Sequence, residues 1–409
     1  MTTKSQRKRR RRREKRKQRK AVKRQQRLTA RQANFVDNLF DSDGMRLVIE
    51  PSDTWLFRDG KPFRAGEDHW AGSHFPPTPL TIQGVIRSKI LLDSDTDLRA
   101  YAENPSETAI YAQIGGKGRD YGALKIRGPY LAHKKNAEWT RYYPAPADLL
   151  RDQEYGKIYR LTIGESPIIA NWPHPSENLR PLYPPNLQDQ ASNLTPAGGW
   201  IAEESLRAYL EGRLPEPEHI VPPGEIYERE PRIIIGLERQ TRRPRPQLLA
   251  GVEMVRLRPD WALDLEISGV PPWKSQGYLG IGGEARAGYY QVRPPTLSFA
   301  SPEPLPSRFV LYFATPTWFQ NGWRPGNWGK WFSGKISLVA AAINRPERIG
   351  GWDIVKGEKP MRGYVPAGSI YYFESEGEVS YNGEPVTDDP AEGQIGFGQV
   401  FIGQWPQNN

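Results

Sequence analysis

The sequence predicts an α+β protein of tandem ferredoxin-like (RRM-like) domains with glycine-rich loops, the first domain enlarged by insertions, behind a disordered basic tail. Three observations lead there. Two glycine-dense segments, 277–290 (GYLGIGGEARAGYY) and 393–403 (GQIGFGQVFIG), each follow strand-like sequence and lie more than a hundred residues apart. Strand-like and helix-like runs recur in a similar order before each of them. A proline-rich stretch, 293–307 (RPPTLSFASPEPLPS), can continue neither helix nor sheet and reads as a linker. The predicted division is a tail at 1–44, a first domain at 45–298 and a second at 299–409.

The tail is a matter of charge. Residues 1–31 hold 17 Lys/Arg and one acidic residue, Glu14, a net +16. The remaining 40 basic and 46 acidic residues give the body −6, although the whole chain carries +10. Such a block cannot bury itself and should be disordered, with nucleic acid as a fitting partner through counterion release. A solubility or localisation tail is the alternative. Any RNA site on the mildly acidic body must then be a local basic patch.

The body opens with strand-like MRLVIEP at 45–51 and DTWLFR at 53–58, followed by a tight turn at Asp59-Gly60. FPPTP at 75–79 reads as a helix entry, with Thr78 as cap and Pro79 in the first turn. Ile82, Val85, Ile86 and Ile90 then recur at helical spacing, leaving Arg87 and Lys89 on other faces. Residues 171–223, rich in Pro, Asn and Gly, read as an insertion with one short helix at 201–211. Strands are expected at 232–237 and 252–268, leading into the first glycine loop. In the second half, 309–313 and 369–373 read as strands and 335–343 as helix-like.

Composition excludes several classes. The chain has no cysteine, so disulfides and thiolate metal sites are absent, and no apolar run approaches the roughly 18 residues of a membrane span. The N-terminus has no apolar core of a secretion signal. The expected location is the cytoplasm, with no membrane partner. There is no Walker-type loop, GxSxG elbow or HExxH helix.

Three segments bear on binding. Residues 55–64 (WLFRDGKPFR) interleave Arg58, Lys61 and Arg64 with Trp55, Phe57 and Phe63, either a clamp for phosphates and bases or a hairpin with an inward aromatic face. The glycine loops can turn successive backbone N–H groups toward phosphate, or merely serve sheet bends. Trp318, Trp323, Trp328 and Trp331, interspersed with Arg324 and Lys330, suit a stacking groove or a loop packed on a partner. Glu284 is placed to brace Arg286. For catalysis the candidates are His69 and His74, which could activate a 2′-hydroxyl with Lys61. A zinc pair lacks completing ligands. Thirteen Trp and 19 Tyr also admit a carbohydrate-binding reading, which leaves the tail unexplained.

Taken together, IEP at 49–51, FRDGKPF at 57–63, FPPTP at 75–79 with GVIR at 84–87, GIGGE at 280–284, GWD at 351–353, Lys359-Pro360, VPAGS at 365–369 and GFG at 396–398 resemble one family. It is the RAMP-superfamily subunit of the Cmr (type III-B CRISPR) effector complex at the guide RNA's 5′ end. The resemblance implies a non-catalytic, cofactor-free subunit of antiviral defence. Such a subunit grips the repeat-derived 5′ handle of the guide RNA (crRNA) and docks on the large polymerase-like subunit and on backbone RAMP subunits. It implies a handle-binding surface of Arg58, Lys61, Phe63, Arg64, Arg87, Gly282, Gly283, Arg286, Gly396 and Gly398. The basic tail departs from the family pattern. The alternative within the same superfamily is a metal-independent endoribonuclease that matures guide RNA.

Overall fold

The computed structural model describes residues 44–59, 70–165, 179–185, 193–238, 240–241, 243–295, 299, 301–353 and 357–405. The tail and the segment with Gly60, Lys61, Phe63, Arg64 and His69 lie outside the described residues. The mixed α+β chain is strand-rich, with few helices.

The larger sheet starts from β1 (Met45–Pro51), whose Leu47, Val48 and Ile49 are fully buried. β2 (Trp70–Ala71) follows, then α1 (Pro79–Asp93). Thr78 caps α1 as expected, its hydroxyl accepting from the Thr81 N–H, and Ile82, Val85, Ile86 and Ile90 form the buried face. The sheet continues through β3 (Lys125–Lys135), β4 (Glu138–Pro144) and β5 (Trp200–Ala202). α2 (Glu203–Leu210) is shorter than the helix read at 201–211, because Ile201 pairs with Tyr143 in the sheet. β6 (Ile220–Val221) closes one edge. β7 (Tyr227–Leu237) and β8 (Pro244–Leu257) form a long antiparallel ribbon with β2 on its flank. β9 (Trp261–Ser268), β10 (Gln276–Gly280) and β11 (Ala287–Arg293) complete the set, giving the order β6-β5-β4-β3-β9-β1-β11-β10. The segment read as an insertion thus extends the main sheet through β5 and β6.

The second sheet contains β12 (Arg308–Phe313), β13 (Phe332–Ala342), β16 (Ile370–Tyr381) and β17 (Val400–Gln404), in the order β13-β16-β12-β17. Between β13 and β16 lies a two-stranded ribbon of β14 (Glu347–Asp353) and β15 (Gly357–Tyr364). A five-residue helix, α3 (Pro390–Gln394), precedes β17.

Two expectations fail here. Residues 335–343 are strand, not helix: Ile336, Leu338 and Ala342 pair with Ser375, Phe373 and Ile370. A bulge between Leu338 and Ala340 breaks the alternation and leaves Val339 and Ala340 buried together, so the run mimics a short apolar helix until its partner strand is known. The second glycine segment begins within α3 rather than after a strand, whereas the first spans the β10–β11 hairpin.

The two sheets share a core. Tyr130, Tyr143 and Ile201 from the first pack with Val310, Tyr312 and Tyr372 from the second. Buried Asp148 accepts hydrogen bonds from Tyr209 Oη at 2.7 Å and from Tyr372 Oη at 2.5 Å, tying the halves at a polar centre. Within the stretch read as a linker, Phe299 packs on Phe401 with ring centroids 4.1 Å apart and Leu305 is buried, so the stretch is anchored at these two residues. Among the described residues no helix is long and apolar enough to cross a membrane.

Candidate nucleic-acid interface

At the base of the β7–β8 ribbon, strand geometry gathers charge. Glu230 and Arg232 lie two apart on β7 and share one face, beside Arg256 on β8. Arg256 Nη1 sits 3.0 Å from Asp53 Oδ1, and Arg286 Nη1 and Arg232 Nη2 lie 3.3 Å and 3.6 Å from Asp53 Oδ2. Arg232 and Arg256 also hold Glu230, at 2.6 Å and 2.8 Å. Three guanidiniums thus share two carboxylates, leaving one net positive charge on a partly exposed face. Hydrogen bonds from Arg232 and Arg256 hold the Glu230 carboxyl below its usual range. Desolvation pushes Asp53 upward, but the Thr54 backbone bond and the Arg256 and Arg232 guanidiniums outweigh it and leave that carboxyl lowered.

Toward Arg58 lies the other face of the ribbon, which carries Arg229. Arg229 donates to the Ser73 carbonyl at 2.8 Å and pairs with Glu253, while the backbones of Ser73 and exposed Arg58 form a β-bridge. Gly283 N–H donates to the Leu56 carbonyl at 2.8 Å, which fixes the first glycine loop against the segment leading to Arg58; that segment, read as strand at 53–58, forms only isolated bridges at Trp55 and Arg58. The structure therefore brings together Arg58, Gly282, Gly283 and Arg286. Arg286 is braced by Asp53, not by Glu284 as the sequence suggested: Glu284 lies in the turn with a left-handed backbone, φ +57°, and its side chain is not the partner.

Arg87 lies elsewhere and is engaged internally, donating to Tyr101 Oη at 3.0 Å and to the Gly116 carbonyl. The glycines serve close backbone packing. A Cβ on Gly282, at φ +82°, would stand 2.6 Å from the Leu56 oxygen, and one on Gly396, at φ +114°, would stand 2.3 Å from the Gly128 oxygen. Gly396 and Gly398 donate their N–H groups to Gly393 and Pro316, and Gly283 to Leu56. At these three positions the N–H groups are turned to the protein itself rather than outward to phosphate.

The tryptophan-rich segment packs onto the core. Trp331 is buried, with its Nε1 donating to the Pro385 carbonyl at 2.8 Å, and Trp328 meets Phe373 edge-on at 4.8 Å. Trp323 stacks on Tyr371, and Trp318 packs near Tyr364 and Phe397 under Arg362. Trp318, Trp323 and Trp328 are half-buried, and the segment packs over its own sheet. Trp55 and Phe57 are likewise buried, as the inward-facing hairpin reading requires.

Sequence reading missed Asp53, Arg229, Glu230, Arg232, Glu253 and Arg256. The alternating charges of 228–232 (EREPR) were the available signal; their partner Asp53 is far away in sequence.

A second feature lies at the junction of the sheets. A cavity of about 310 Å³ is lined by residues of both, including Pro76, Tyr130, Tyr142, Trp200 and Pro316, with His74 and Glu347 in its wall. His74 Nε2 lies 3.8 Å from Glu347 Oε2, beyond hydrogen-bond length. Burial pushes the Glu347 carboxyl up to about 7. Burial, reinforced by Arg229, holds the His74 imidazole below its ordinary value. Among the described residues no group of three or more His, Cys, Asp or Glu is placed to hold a metal.

A family model described as CRISPR-associated protein (Cas_Cmr3) matches residues 47–405. No curated protein matches the chain. Among solved structures it is similar to a chain of "Cryo-EM structure of the Type III-B Cmr-beta bound to cognate target RNA and AMPPnP, state 1", at 14% identity and TM-score 0.44, over 80% of this chain and 86% of that one. The same complex bound to cognate target RNA gives 15% and 0.42 over the same shares. A chain of "Crystal structure of Csm3-Csm4 subcomplex in the type III-A CRISPR-Cas interference complex" gives 10% and 0.37, over 89% of this chain and 100% of that one. Resting on the match over 47–405, the assignment is plain: this chain belongs to the Cas_Cmr3 family of CRISPR-associated proteins.

Proposed function

We propose that this chain is the non-catalytic subunit of a type III-B effector complex that grips the 5′ handle of the guide RNA and docks on the large polymerase-like and backbone subunits. The observation that carries this reading is the arginine patch of Arg232, Arg256 and Arg286, arranged on Asp53 and Glu230. Guanidiniums pre-oriented by carboxylates lose little freedom on meeting phosphate, and they neutralise backbone charge along a strand. Family membership supports the assignment, and the basic sequence of 1–31 adds sequence-independent affinity. The fold reading is a tandem of ferredoxin-like units divided near 298/299. In its support, β3-β9-β1-β11 and β13-β16-β12-β17 both run second-third-first-fourth, all antiparallel. In the second unit the tryptophan loop takes the place of the first helix.

The test is RNA binding by Arg232→Gln and Arg256→Gln variants across a salt series. Lost affinity with a flatter salt dependence supports the patch; unchanged affinity and slope would move the site elsewhere. A second reading, a guide-maturing endoribonuclease, draws on His74 beside Glu347. Guide length unchanged in a His74→Ala variant with the complex intact would dispose of it.

A further inference from the structure

We propose that Asp53 is a positioning residue of the RNA interface: it holds Arg286, Arg256 and Arg232 in the arrangement that meets phosphate, so its negative charge aids RNA binding instead of opposing it. This inference rests on the RNA-binding reading and deepens it. The three arginines come from separate parts of the chain, Arg232 on β7, Arg256 on β8 and Arg286 in the turn before β11. Asp53 is the group they have in common.

Their dependence on it is uneven. Glu230 also holds Arg232 and Arg256, through Nε and Nη2 of each. Arg286 has no such second support: among the described residues its guanidinium has Asp53 as its one partner, through Nη1 at 3.3 Å. Without Asp53, the three like charges repel one another and Arg286 regains the rotamers of a long side chain. Binding must then immobilise it afresh, at a cost in affinity.

A carboxylate among arginines can also act as a competitor that fills the place of a phosphate. Donor arithmetic favours positioning. A guanidinium carries five N–H donors, two on each Nη and one on Nε. The carboxylates engage Nε and Nη2 of Arg232, which leaves Nη1, and Nη1 of Arg286, which leaves Nη2. A phosphate can meet both arginines at those nitrogens while Asp53 keeps its place. Charge alone predicts the opposite sign: replacing Asp53 by Asn adds one positive charge to the patch and would tighten phosphate binding.

The test is fluorescence anisotropy of the full chain with a labelled uridine oligoribonucleotide across a salt series. Asp53 is exposed, so Asp53→Asn should keep the wild-type melting temperature. It should bind RNA about fivefold more weakly with the same log-log salt slope, because the phosphates neutralised are unchanged and only the ordering of the arginines costs more. Asp53→Glu, which keeps a carboxylate within reach of the same guanidiniums, should recover most of the loss. In an Arg286→Gln background, Asp53→Asn should cost much less than it does alone, as expected of a residue that acts through Arg286. Arg232→Gln with Arg256→Gln is the reference, with lower affinity and a flatter slope. Tighter or unchanged binding by Asp53→Asn while the reference is weakened, or an equal loss with and without Arg286, would overturn the positioning role and leave the RNA-binding patch standing. Unchanged binding by the reference would overturn the patch itself.

Discussion

The eight-stranded and the four-stranded sheet place their distinctive side chains oppositely. Around the first, charge is exposed: Arg232, Arg256 and Arg286 converge on Asp53 at the foot of a ribbon that stands out from the body. Around the second, the densest aromatic sequence is folded inward, with Trp331, Phe332, Phe373 and Phe309 in one cluster. A basic and an aromatic segment look equally suited to RNA in one dimension; in three, the tryptophans are buried or half-buried against their own sheet while the arginines hold charge at the surface. Single glycines differ too: a Cβ on Gly396 would collide with the Gly128 carbonyl of the other half, whereas one on Gly283 would make ordinary contact with the Leu56 side chain at 3.4 Å.

The contrast can be broken most forcefully at Gly396. Gly396→Val combines a left-handed backbone with a backbone clash and should cost more than about 4 kcal/mol, seen as loss of soluble folded protein. Gly283→Ala should keep the wild-type melting temperature. Next in size, Trp331→Ala should destabilise the fold by about 3–5 kcal/mol in denaturant titration, with RNA affinity of the remaining folded protein unchanged. Retained stability with lost RNA binding would make the aromatic segment a binding surface after all. Arg232→Gln and Arg256→Gln should do the reverse. The melting temperature should hold, and each lost phosphate contact should flatten the log-log salt slope by about 0.7 on single strands.

The smallest effect is a pH dependence at the junction. With its folded carboxyl raised to about 7, Glu347 holds its proton more tightly when folded than when unfolded. Its protonation therefore favours the fold at low pH, and that contribution declines as pH rises from the ordinary carboxylate range through about 7. Thermal melts of Glu347→Gln should show a flatter decline between pH 5 and 8 than the wild type. An identical decline would place the carboxyl in ordinary solvent.

Much of the fold was legible because local signals and tertiary demands agree. Thr78 and Pro79 with the spacing of Ile82, Val85, Ile86 and Ile90 specify α1 before any packing is known. β13 was not legible: its bulge at Val339 hides the period of two, and its identity comes from pairing with β16. Of the candidate site, Arg58, Gly282, Gly283 and Arg286 do converge, since hairpin and glycine loop meet through Leu56 and Asp53. The ribbon arginines were invisible for the opposite reason, because Asp53 joins them only through long-range strand packing. Arg87 looked available because helical spacing shows the face of a side chain but not its partners, Tyr101 and Gly116.

The most direct measurement is to purify the tagged chain from its host and sequence the RNA that comes with it. Reads sharing one fixed 5′ segment followed by variable sequence, and lost when Arg232 and Arg256 are both replaced by Gln, are the predicted result. A diffuse RNA population, unaffected by those substitutions, would contradict handle binding by the arginine patch and leave only the electrostatics of the basic tail.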